Sequence, residues 1–293
     1  MKKIAVISGK GGTGKTTFTA GFAKYLDEKK LCFVDCDVDA ANAGILFNHV
    51  TEETKDFFGG NIAEIDQNVC VKCGSCMENC RFSAIYYDSE NEQFQINPVK
   101  CEGCGVCTIV CPFDAVSLGL RKTGEIYISK TKAFPLIHAS LEPGCGASGL
   151  LVKRLKKTAE EKYPGSEVML IDGPPGIGCP FIATVSGTDY AVVVVEPGLS
   201  ALHDLKRAIR VALGFGTKIL VVINRFDLNP DICRQIESFC ENEGINVAGR
   251  VPYDDTVFKA VREQRPVTDY DCPASKSLIE SYERITDIIS NNL

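Results

Sequence analysis

Eight cysteines fall in two runs, Cys70-x2-Cys73-x2-Cys76-x3-Cys80 and Cys101-x2-Cys104-x2-Cys107-x3-Cys111-Pro112. Soft thiolates at this spacing suit iron–sulfur cubanes. Three from one run hold three irons of a cluster, and the fourth reaches across to the other cluster. The spacing therefore predicts two [4Fe–4S] clusters per chain. Cys70, Cys73, Cys76 and Cys111 would hold one. Cys101, Cys104, Cys107 and Cys80 would hold the second. Gly74, Ser75, Gly103 and Gly105 are small enough for the backbone to wrap closely around such a group. The alternatives are zinc and disulfides, but zinc usually takes paired Cys-x-x-Cys units.

A second motif lies at the N-terminus. Lys3 to Ser8 reads as a buried parallel strand. It runs into Gly9-Lys10-Gly11-Gly12-Thr13-Gly14-Lys15-Thr16-Thr17, which opens a helix expected over Phe18 to Glu28. This is a phosphate-binding loop in its strand–loop–helix context. Glycines turn backbone amides toward phosphates, and the helix N-terminus adds positive potential. Lys15 is expected at the β- and γ-phosphates of ATP, with the Thr16 hydroxyl on Mg2+.

These motifs carry two resemblances. The segment from about Ile62 to Leu118 is similar to bacterial two-cluster ferredoxins, except that Arg81, not proline, follows Cys80. Lys10, just after the first glycine, resembles the deviant P-loop lysine of the MinD/Mrp/ParA-like ATPases and the nitrogenase iron protein. There this lysine points across a nucleotide-sandwich dimer to the partner's phosphates. The resemblance implies a homodimer with ATP at the interface and a site completed in trans. Leu31 to Asp37 resembles strand and switch I, which implies that Asp37 orients the attacking water and Asp35 holds Mg2+ through water. Val168 to Gly176 resembles strand and switch II, with Asp172 near Mg2+ through water. Asn224-Arg225 ends a later strand, and in this family that asparagine reads the adenine edge. Gly249 to Asp254, with Pro252, resembles the loop closing over the base. The resemblance thus makes Lys10, Lys15, Asp37 and Asp172 the catalytic set.

The implied organisation is a P-loop ATPase over 1–61 and 119–293, interrupted by a small α+β ferredoxin domain at 62–118. The ATPase is expected to be α/β, a doubly wound and mostly parallel sheet. Helical patterns over 150–162, 201–213, 230–243 and 275–289 alternate with apolar strands. No run is long and apolar enough for a membrane span, and Met1-Lys2-Lys3 leads straight into the first strand without a signal peptide. Fifteen cysteines without export argue for a reducing cytoplasm. A formal net charge of −6 argues against nucleic acid as a partner. The amphipathic C-terminal segment, Leu278 to Ile289, is poor in lysine and reads as a helix packed on the sheet, not a membrane-targeting tail.

Seven cysteines remain. Cys32 and Cys36 lie on an apolar strand, and Cys233 and Cys240 are seven apart on one helix face, so all four read as core. Cys272 has no assigned role. Cys179 follows Asp172 by seven residues, and Cys145 lies in the glycine-rich Glu142 to Gly149. The nitrogenase iron protein has its two cluster cysteines in comparable places, one of them shifted by one position here. This makes Cys145 and Cys179 candidates for a further [4Fe–4S] cluster shared across a dimer.

Three functions follow: an ATP-gated electron donor to a partner protein, a factor that assembles or carries iron–sulfur clusters, and a redox-sensing scaffold whose ATPase sets dimer state. Closure of both cubanes by eight cysteines favours electron flow. The sequence names no redox or cluster-accepting partner.

Overall fold

A computed structural model describes residues 1–26, 30–38 and 46–291. The chain divides into two compact units: one comprises 1–55, 126–140 and 148–293, the other 56–125 and 141–147.

Apolar strands build the first unit. β1 (Lys2–Ser8), β2 (Leu31–Asp35), β8 (Val168–Pro175), β9 (Tyr190–Val195) and β10 (Lys218–Asn224) are near-continuous Val, Ile, Leu and Ala runs, buried over most of their length. Such runs suit strands covered on both faces. The sheet order is β11-β10-β9-β1-β8-β2-β7-β6-β3, with β11 at Asn246–Val251, β7 at Pro135–Leu141, β6 at Val116–Thr131 and β3 at His49–Ile65. The six neighbouring pairs from β11 to β7 are parallel. This is the large, mostly parallel α/β sheet expected from the alternating pattern. One boundary differs: residues 246–251, half of which were expected in a loop, form β11, because Asn246, Val247, Gly249, Arg250 and Val251 pair with β10 while Ala248 and Val251 pack on the core.

Helices cover the sheet through residues at helical spacing. The first, α1 (Lys15–Tyr25), starts three residues before its expected start. Of its expected C-terminal end, 27–28 lies outside the described residues. The C-terminal helix (Pro273–Asn291) buries Leu278, Tyr282, Ile285 and Ile289. Tyr282 is fully buried, stacks on Phe22 at 5.1 Å and donates its hydroxyl to Phe18 O at 2.9 Å. That helix is therefore a packing element. No helix among the described residues is long and apolar enough to cross a membrane. Cys32, Cys36, Cys233 and Cys240 are buried, and burial pushes the Cys32 thiol up to about 12. Cys272, unassigned by sequence, packs into the same core as Leu278.

One buried cation ties two helices. Lys156, on the helix Ser148–Lys162, is 6% exposed. Its Nζ donates to Ala183 O (3.0 Å), Thr184 O (2.8 Å), Ser186 O (2.6 Å) and Thr188 Oγ1 (3.3 Å). Those oxygens lie at and just beyond the C-terminal end of the helix Cys179–Val185, where a cation offsets the helix dipole. Lys156→Met is expected to leave these acceptors without their donor and to cost about 3 kcal/mol. Urea unfolding of the two proteins in parallel measures it; an unchanged midpoint would show that the cation contributes nothing net.

The second unit is built on an internal repeat. Cys70, Cys73, Cys76 and Cys80 recur thirty-one residues later as Cys101, Cys104, Cys107 and Cys111. The backbone repeats with them. Lys72 and Gly103 have φ of 61° and 60°, Gly74 and Gly105 have 83° and 80°, and Ser83 and Asp114 have 48° and 51°. Gly74 and Gly105 each precede a short helix, Ser75–Glu78 and Val106–Val110. Asp66 and Asn97 open the two repeats: their carbonyls accept from the amides of Cys70 and Cys101. The strands β4 (Ile85–Asp88) and β5 (Gln93–Ile96) form an antiparallel ladder.

Candidate nucleotide and cluster sites

The nucleotide-type site gathers at the C-terminal ends of the parallel strands. Register puts Asp35 of β2 beside Asp172 of β8, with Val6 of β1 on the other side of Asp172. The loop after β1 and both aspartates therefore meet at one edge, where open α/β sheets bind ligands. Gly14 sits at φ 87°, and a Cβ there would stand 2.4 Å from Asn224 Nδ2, so only glycine fits. The Asn224 amide donates to Thr13 O at 2.8 Å.

Asp172 is 1% exposed and is the centre of the site. Lys15 Nζ lies 2.9 Å from its Oδ1, and the Thr16 hydroxyl donates to Oδ2 at 2.8 Å. Lys15 Nζ is also 3.9 Å from Asp37. The Asp37 amide donates to Asp35 Oδ1 at 3.0 Å, and the Cys36 amide to Asp172 O at 2.8 Å. Lys15, Thr16, Asp35, Asp37 and Asp172, far apart in sequence, thus form one cluster. A buried ammonium, a hydroxyl and carboxylates around a helix N-terminus suit a phosphate with a hard cation. Within the loop, Thr13 Oγ1 is buried without a hydrogen-bond partner.

A cavity beside the loop is lined by Gly14, Thr17, Phe18, Asn224, Pro252 and Tyr253, among others. Arg225 also borders it; its guanidinium reaches Gly12 O at 3.4 Å and Glu196 at 3.2 Å. Within this chain Lys10 Nζ lies against Gly198, 3.0 Å from where a Cβ would be. Sequence reading missed Glu196 and Thr19. The last was detectable, because Thr19 is one turn on from Lys15 and shares its helix face.

In the second unit, Cys76, Cys101 and Cys107 are buried with Ala84, Ile85, Phe94 and Val116, and Cys70, Cys80 and Cys111 pack against them. Cys73 and Cys104 are exposed. Backbone amides of Ala63, Ala84 and Ala115 point at the sulfurs of Cys101, Cys80 and Cys111 at 3.3–3.5 Å. A cavity is lined by Cys80, Cys101, Cys104 and Cys107 together, although Cys80 belongs to the first run. Gly103 has φ 60°, and a Cβ there would stand 2.3 Å from Asn61 O. Thiols around an apolar cavity, with amides aimed at sulfur, fit an iron–sulfur cluster. Among the described residues no three or more Cys, His, Asp or Glu side chains converge on a single ion. A cubane spreads its ligands over four irons, so its sulfurs need no such convergence.

Cys145 and Cys179 fall in different units. Cys145 is buried, its amide donating to Glu142 O at 3.1 Å. Cys179 is exposed and begins its helix, its backbone close against Gly149.

Sheet, loop and aspartate cluster define a P-loop nucleotide-binding protein of the α/β class. The comparisons make this specific. Residues 4–267 match the family model described as the CobQ/CobB/MinD/ParA nucleotide binding domain, and the chain belongs to that family. It is accordingly a nucleotide-binding ATPase. An uncharacterised protein of Methanocaldococcus jannaschii is 36% identical over 290 residues, covering 99% of this chain and 98% of that one. A protein of Pyrococcus furiosus named iron-sulfur cluster carrier protein is 26% identical over 300 residues, covering 97% of this chain and 85% of that one. Among solved structures, the septum site-determining protein MinD complexed with Mg-ADP, from Pyrococcus horikoshii, superposes with a TM-score of 0.60 at 18% identity, covering 100% of this chain and 98% of that one.

Proposed function

We propose that this chain is an Mg-ATP-dependent iron–sulfur ATPase that couples nucleotide turnover to electron transfer through two [4Fe–4S] clusters of an inserted ferredoxin-type domain. The observation that carries this reading is the thirty-one-residue cysteine repeat, with its matched backbone, inside a chain that also holds the Lys15–Asp172 cluster. Lys15 and the loop amides would bind the phosphates. Thr16, and Asp35 and Asp172 through water, would hold Mg2+. Asp37 would orient the attacking water, and Asn224, Arg225 and Pro252 would border the base. When bound, the metal supplies positive charge to the phosphate oxygens. Lys10 would complete the site of a second copy in a nucleotide-sandwich homodimer, and Cys145 and Cys179 would share a further cluster across that dimer.

A second reading is a cluster carrier, favoured by the naming of the Pyrococcus furiosus relative. The two separate in one experiment on anaerobically prepared protein with an unrelated apo-ferredoxin and a low-potential dye as acceptors. Electron transfer predicts ATP-dependent reduction of the dye, with iron retained, by clusters first reduced with dithionite and freed of its excess. A carrier predicts ATP-dependent loss of iron to the apo-protein. Cys179→Ser tests the shared cluster: iron is expected to fall from about ten to about eight per chain, because two chains would share four irons. Equal iron in both proteins removes it.

A further inference from the structure

Thr19 stands where the nucleotide site meets its helix. It is fully buried in α1, four residues beyond Lys15. Its hydroxyl oxygen is 2.8 Å from Asp172 Oδ1 and also 2.8 Å from Lys15 O. One hydroxyl has one hydrogen to donate, so these two acceptors compete for it. Asp172 is otherwise held by Lys15 on Oδ1 and by Thr16 on Oδ2. Both of those partners have other work in ATP binding: Lys15 at the phosphates and Thr16 at the metal. A buried carboxylate stripped of two donors needs another to hold its orientation. Thr19 has no such second task.

We infer that Thr19 is the positioning residue for Asp172. It fixes Oδ1 from inside the helix, so that Oδ2, on the Thr16 side, would be the oxygen left to hold the metal through water. When Lys15 and Thr16 turn to the nucleotide, the Thr19 hydrogen goes to the carboxylate and not to Lys15 O. This rests on the reading that places Asp172 beside Mg2+. Thr19 touches neither nucleotide nor metal; it acts through Asp172. Partners of this kind typically alter metal affinity by about 10–100-fold when removed.

The test replaces the hydroxyl by a methyl in Thr19→Val and restores it in Thr19→Ser. Mn2+ is the probe, because its free-ion EPR signal disappears on binding. With ADP bound, Thr19→Val is expected to bind Mn2+ about tenfold more weakly, with metal-free ADP affinity unchanged. The ATPase kcat should fall about tenfold as well, with little change in KM. Thr19→Ser should restore both. A purely structural role would lower the melting temperature without moving Mn2+ affinity. Should the valine variant not fold, Thr19→Ala carries the same test. Asp172→Asn runs alongside. If it leaves Mn2+ affinity unchanged, the placement of Asp172 is wrong. If it weakens Mn2+ while the Thr19 variants bind normally, the inference about Thr19 alone is overturned.

Discussion

Lys15→Ala is expected to lower ATP turnover by about 10²–10³-fold, or about 3–4 kcal/mol of transition-state stabilisation. Lys15 is a buried ammonium, 7% exposed, shared between Asp172 and Asp37. Its charge is read as acting where the γ-phosphate gathers negative charge during transfer, and a preorganised cation in a dry site is worth far more than one in water. Fluorescent-nucleotide binding and phosphate release, measured together, separate the contributions. Lys15→Ala should lose both. Asp37→Ala should keep binding and lose turnover, because Asp37 is read as acting on water and not on ATP. Lys10→Ala should bind ATP and turn over poorly, since its cation is read as acting on a second copy. Normal turnover in Asp37→Ala would show that the water-orienting group lies elsewhere. Lys15→Ala also strips a charged partner from buried Asp172, which costs stability in its own right. Thr16 and Thr19 remain on that carboxylate, so a folded variant is expected, and its melting temperature should be recorded.

Cys80→Ser is expected to cost the cluster of the other run. Anaerobic wild-type protein should carry about eight irons and eight sulfides per chain from the eight-cysteine module, apart from any shared cluster. The variant should carry about four fewer irons, and the EPR signal it loses should be the one that Cys101→Ser also loses. Cys111→Ser should pair in the same way with Cys70→Ser. The structural basis is the cavity that Cys80 lines with Cys101, Cys104 and Cys107. Stoichiometric zinc with no broad visible absorbance would refute the clusters outright. Loss of the same signal in Cys80→Ser and Cys70→Ser would instead refute the crossed ligand assignment. Anaerobic handling matters, because the same soft thiolates accept zinc.

Local chemistry was written in contiguous residues. The strand–loop–helix of 2–25 follows from an apolar run, then glycines, then helix formers, and each of these acts over a few residues. The alternation of apolar strands with helical patterns sufficed for a mostly parallel α/β sheet. The cysteine runs are legible as a repeat in their spacing, and the backbone repeats with them. Each such signal is read from residues near one another in the chain, so no knowledge of the strand order was needed.

Tertiary structure decided what sequence distance conceals. Nothing near Thr19 in sequence announces Asp172, 153 positions away. Strand order puts β1 between β8 and β9, and that adjacency brings the helix after β1 onto the end of β8. Asn224 holds Thr13 O because β10 ends beside the loop after β1, a fact of register and not of motif. Residues 246–251 became a strand because β10 offered an edge to pair with, which outweighed the glycine within them. Lys156 was invisible as anything but a helix surface lysine, yet the neighbouring helix end turns three backbone carbonyls onto it. Sequence fixes which groups are present and their local geometry. Which of them share one carboxylate is settled only when the sheet assembles, because hydrogen bonds reach about 3 Å and ignore chain order.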